Sequence, residues 1–135
     1  MSDDPHAVAF LSLLRGVSGL RVFPDPEGNT TTATTALPYV VAWISVRYDL
    51  GATIDLQSTR GVATATIHSV GRTDTAARIT AGKVRGALLD VVPTMPNRQS
   101  YPIRHDDSPP ARPDESTGQR VYDQIDVYRL ESLPG

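Results

Sequence analysis

The order of segments constrains this chain most. Apolar periodicity alternates between helix and strand in a sequence that leaves only a few folds open. A short amphipathic helix comes first, then a strand at 39–48, a strand at 61–70, a helix at 75–90 and a last strand at about 120–130. Polar stretches rich in Pro, Gly and Thr separate them. Tyr39-Val40-Val41-Ala42-Trp43-Ile44-Ser45-Val46-Arg47-Tyr48 is dense in β-branched and aromatic residues, with Pro38 at its entry, where a missing N–H is tolerated. Apolar residues on both alternating faces of this run predict a central strand buried on both sides. Gly61 and Gly71 bracket a second alternating run, Val62 to Val70. Thr53 to Leu56 reads as a weaker strand and Leu20 to Phe23 as a short one ended by Pro24 and Pro26.

Helix signals frame these strands. Asp3 or Asp4 can cap the first helix with Pro5 in its first turn, and Gly16 can stop it. Val8, Leu11 and Leu14, with Ala7, Phe10 and Leu13 beside them, predict its apolar face. Thr73 or Asp74 caps the second helix, whose expected buried stripe is Ala77, Ala81, Val84 and Leu88. Gly82 and Gly86 each weaken that helix by about 1 kcal/mol relative to Ala. The resulting expectation is one α+β domain over 1–135. Its sheet is mostly antiparallel with four to five strands and two helices on one face. Residues 25–36 and 97–118 are expected to be long loops, and 131–135 a frayed tail.

Composition removes whole classes of function. With no cysteine, disulfides and thiol chemistry are excluded. A net charge of −2 gives no field suited to nucleic acid or to an anionic membrane surface. The acidic start Met1-Ser2-Asp3-Asp4-Pro5 does not read as a secretory leader, and no run approaches the ~20 apolar residues of a membrane span. A soluble protein made in a cytoplasm is expected.

No constellation for catalysis, cofactor or metal stands out. His105-Asp106-Asp107 is read as a solvated polar loop rather than a metal cluster, because adjacent residues rarely point at one ion. His6 reads as part of a helix start and His68 as a cross-strand partner. Asp123 and Asp126 fall on opposite faces of the last strand and cannot work as a paired acid and base. The arginines are the more informative residues, since the planar guanidinium fork binds carboxylates bidentately and is enriched at protein interfaces. Arg60, Arg72, Arg78, Arg85 and Arg104, with Tyr101, are the candidate interface residues, chosen on chemistry alone.

The segment order and several strings resemble the tail terminator (tail completion) proteins of long-tailed bacteriophages. The strings are the helix ending near Arg15, Val22-Phe23-Pro24, Leu37-Pro38-Tyr39-Val40, Gly61 to Ser69, and Ala76 to Leu88. The resemblance implies a virion structural protein that closes into a hexameric ring, caps the tail tube, stops its polymerisation and offers the surface that joins tail to head. The partners it implies are other copies of the chain, the major tail tube protein and a head–tail connector or stopper. DNA would pass through the lumen without sequence-specific contact. It implies no cofactor and a place at the tail–neck junction. A head–tail connector or stopper is the neighbouring alternative; the strand-rich centre favours the terminator. A binding module using the Tyr and Arg surface is a reading of a different class.

Overall fold

The computed structural model describes residues 4–24, 37–48, 60–109, 112–114 and 120–134. Among them are two helices, α1 (Pro5–Arg15) and α2 (Asp74–Leu88). Seven strands accompany them: β1 (Val22–Phe23), β2 (Tyr39–Tyr48), β3 (Gly61–Gly71), β4 (Arg98–Ser100), β5 (Arg104–Asp107), β6 (Arg112–Asp114) and β7 (Val121–Pro134). The fold is α+β. The expected loop at 25–36 and the weak strand at 53–56 lie outside the described residues.

The seven strands occupy five columns. β1, β2, β3 and β7 lie side by side, and β4, β5 and β6 share the outer edge of β7 as three short pieces. β2–β3 and β3–β7 are long antiparallel ladders, running from Tyr39↔Val70 to Tyr48↔Gly61 and from Gly61↔Ser132 to Gly71↔Tyr122. Among the described strands, only the two-residue β1 runs parallel to its neighbour.

β7 therefore acts as a template for the fifth column. β6 pairs with its first residues, β5 with Val127–Arg129 and β4 with Ser132–Pro134. This corrects two expectations. The segment 97–118 is not one loop but carries three strands, held by backbone pairing rather than by apolar pattern. Nor does the chain fray at 131, since β7 stays paired through Pro134 and Glu131 O accepts from Tyr101 N at 2.9 Å. The turn into β4 places Asn97 at φ 58 after Pro96, the Pro-Asn order that a tight turn favours.

Both helices cover one sheet face, α2 across β3 and β7 and α1 against β2 and α2. Asp4 caps α1 and accepts from His6 N at 2.8 Å, while Thr73 caps α2 and accepts from Ala76 N at 3.1 Å. The core lies between the layers and contains Phe10, Leu14, Val40, Ile67, Val84, Leu88, Ile103, Tyr128 and Leu130. Alanines 63 and 65 let the helices approach the middle strand. Gly71 allows more: a Cβ there would sit 2.6 Å from Ala77 N, so the first turn of α2 rests on the β3 backbone.

The face of α1 is rotated from expectation, while α2 buries Ala77, Val84 and Leu88 as expected and differs at one position. In α1 the buried residues are His6, Ala9, Phe10 and Leu14, while Val8 is 45% exposed. In α2 Thr80 is buried in place of Ala81, its hydroxyl donating to Ala76 O at 2.9 Å. β2 is buried on both faces only at its start, where Tyr39 packs with Val70 and Val121 on the side away from the helices. Its helix side is covered, but Trp43 on the opposite side is 65% exposed and Ser45 and Arg47 follow it into solvent. Both helices take the same face and leave the other without a helical layer.

Candidate assembly surfaces

The six residues selected for interface chemistry do not form one patch. Arg60 and Arg72 flank β3 at opposite ends, about 40 Å apart by strand rise. Arg60 pairs with Glu131 across to β7, whereas Arg72 is exposed in the turn before α2. Tyr101 is half-exposed between β4 and β5. Arg78 and Arg85 lie two turns apart on α2. Arg104 reaches the end of that helix through Asp90, with Nη1 2.7 Å from Oδ1. Three of the six are thus aligned along α2, and three lie elsewhere.

α2 borders a cavity of about 260 Å³. Arg78, Gly82 and Arg85 form the helix side, Ser108 closes the edge beyond β5, and Gln124 and Asp126 of β7 form the floor. The alternation of β7 explains this floor: Tyr122, Gln124, Asp126, Tyr128, Leu130 and Ser132 all face the helices. Gln124 and Asp126 are buried. Gln124 Nε2 donates to Ser108 Oγ at 3.1 Å and to Pro109 O at 2.9 Å. Asp126 Oδ1 lies 3.0 Å from His105 Nε2. His105 is therefore a half-buried strand residue packed on the Tyr128 ring, not part of a solvated loop. The Tyr128 hydroxyl is buried without a hydrogen bond. Burial first, then the Asp126 charge, pushes its pKa up to about 12, with Arg85 pulling the other way.

Every histidine is held by an aspartate. His68 meets Asp123 across β3 and β7 at 2.8 Å, as a cross-strand partner. His105 meets Asp126, and His6 meets Asp4 at 2.7 Å. The His6 pair opens a network that sequence reasoning missed. His6 is fully buried, with Nε2 2.7 Å from Ser132 Oγ, and that hydroxyl also accepts from Arg98 Nε at 2.7 Å. Tyr48 donates to the other Asp4 oxygen at 2.5 Å and carries the Arg98 guanidinium over its ring. Burial raises the Asp4 pKa, but the Tyr48 and His6 hydrogen bonds outweigh it and leave the group below its ordinary value. Tyr48 is pushed up to about 12, by burial first and then by its bond to Asp4.

Asp4, His6 and Ser132 are connected in the manner of a hydrolytic triad, yet Ser132 and His6 have no exposed surface and the cavity lies elsewhere. Gly61 packs against the His6 ring so closely that a Cβ would come within 2.8 Å of it. The network ties α1, β2, β4 and the end of β7 together. A separation of 126 residues between His6 and Ser132 leaves no local sequence signal for it.

Among the described residues no group of three or more His, Asp or Glu side chains is placed to hold a metal ion. No described helix is long and apolar enough to cross a membrane. No protein-family model matches the chain, and no curated protein matches it. The fold does match a solved structure, a chain of the "Virion of native gene transfer agent (GTA) particle". The TM-score is 0.59 at 17% identity, covering 96% of this chain and 99% of that one. At that identity the likeness is one of fold, and it extends over nearly the whole of both chains.

Proposed function

We propose that this chain is a structural protein of a phage-like virion. Within the virion it is the subunit of a ring that caps the tail tube, ends tube growth and forms the surface to which the head joins. The observation that carries the reading is the near end-to-end match in fold to a chain of a gene transfer agent virion. The resemblance to tail terminators, drawn from different features of the sequence, narrows virion protein to tail cap.

The work is steric. A subunit ring seated on the last tube layer removes the site where the next tube subunit would add. A cyclic ring is a closed heterologous assembly, so each subunit presents two different patches to its neighbours. Six copies are expected, with the tube protein below and a connector or stopper above. Arg60, Arg72, Arg78, Arg85, Tyr101 and Arg104 are proposed for these contacts. Their scatter over the ends of β3, the length of α2 and the β4–β5 connection suits a subunit with several partners better than one with a single docking site.

The test is location. Antibody raised against this chain, imaged with gold on purified particles, is expected to mark the head-proximal end of the tail. Label confined to the capsid, or to the distal tail tip, would contradict the reading.

A further inference from the structure

α2 carries two glycines that nothing inside the molecule requires. A Cβ at Gly82 or Gly86 would meet no atom within 4 Å, and neither residue adopts a left-handed backbone. Glycine at such positions weakens a helix. The missing side chain of Gly82 leaves an open strip between Arg78 and Arg85 at the cavity, and Gly86 extends the bare surface just past Arg85.

The polar groups around that strip are only partly satisfied. Arg85 is exposed and pairs with no carboxylate among the described residues, its nearest polar influence being on the Tyr128 hydroxyl, and Arg78 reaches Thr75 Oγ1 at 3.4 Å and Asp74 only at 3.9 Å with both side chains of that ion pair largely in solvent. On the floor, Asp126 accepts from His105 through Oδ1 only, and Gln124 engages its neighbours only through Nε2. Asp126 Oδ2 and Gln124 Oε1 therefore face the cavity as acceptors without donors among the described residues. The site offers guanidinium donors at its rim and buried acceptors at its base. It fits a polypeptide segment that brings a carboxylate and its own N–H groups together.

We infer that the strip and cavity are the receptor half of a contact between copies of this chain. A segment of a second copy places an acidic side chain on Arg78 and Arg85, and its N–H groups on Asp126 and Gln124. Charge complementarity selects this occupant. α2 alone carries +2, from Asp74 against Arg78, Lys83 and Arg85, in a chain of net −2, so the remainder carries −4 and another copy supplies the opposing sign. Gly82 lets the neighbour's backbone approach the helix closely at the cavity. The inference deepens the ring reading by naming one of the two patches.

Sedimentation velocity on the purified full chain, across concentration and in low and high salt, tests it. The wild type is expected to self-associate, less so as salt rises. Arg78→Glu with Arg85→Glu is expected to weaken association about tenfold or more, since like-charge contact at an interface costs several kcal/mol. Gly82→Leu is the second probe. It adds a side chain where the subunit itself is empty, so the monomer is expected to melt no lower than wild type while association falls. A wild type that stays monomeric at every concentration overturns the inference, and so does association that both variants leave unchanged. Neither outcome bears on tail capping, which particle imaging decides separately.

Discussion

Single side chains hold this molecule at places where hydrophobic packing alone would not. Ser132 is the clearest case. Its one hydroxyl serves the buried His6 ring and the Arg98 guanidinium, so three segments distant in sequence meet at one oxygen. Tyr48 and Tyr128 extend the same logic into solution behaviour. Both phenols are held neutral in the folded state, with pKa values pushed up to about 12. A raised pKa contributes stability that is complete below the ordinary tyrosine value near 10 and is lost as pH climbs toward 12. Absorbance at the tyrosinate band is expected to show two late-titrating residues, with the denaturation midpoint falling across that window. Uniform titration near pH 10 with unchanged stability would contradict this. At the acid end, Asp4 contributes stability that is present above its ordinary value and lost as pH falls through its lowered one.

At the scale of elements, β7 organises the sheet, because it pairs along one edge with β3 and along the other with three separate pieces. Removing residues 131–135 is expected to cost roughly 2–4 kcal/mol, since it deletes the β4 partner and strands the buried His6 and Arg98 donors and acceptors. Urea unfolding of the truncated chain reads this directly, and stability indistinguishable from the full chain would restore the frayed-tail expectation. The same element shows what the sequence could convey. The two helices, their caps at Asp4 and Thr73, and the β2 and β3 strands are legible, because capping chemistry and β-branched runs act locally. The strands β4 to β6 are not, since Arg98-Gln99-Ser100 and Arg112-Pro113-Asp114 carry no apolar alternation and are strands only because β7 lies beside them. The helix-facing side of β7 misleads for a related reason: Gln124, Asp126 and Ser132 look like surface residues and are buried through partners that lie far off in the chain. Of the candidate contact residues, the sequence shows that Arg78 and Arg85 share a helix. Only the fold shows that they stand over a cavity floored by β7.

The whole molecule is a sheet with helices on one face, polar clamps at its ends and arginines distributed over several sides. Among the described residues its one candidate hydrolytic grouping is sealed inside. Such a body suits repeated contact with other proteins, which is what the proposed ring asks of it. If the ring ends tail growth, tube length must depend on it, whereas a protein on the head side of the neck would leave length untouched. The most direct measurement is electron microscopy of particles made after the gene for this chain is deleted from the genome that produces them. Overlong or irregular tails, unattached to filled heads, are the expected result. Tails of normal length lying beside heads that leak DNA would contradict the account and move the protein to the connector or stopper position.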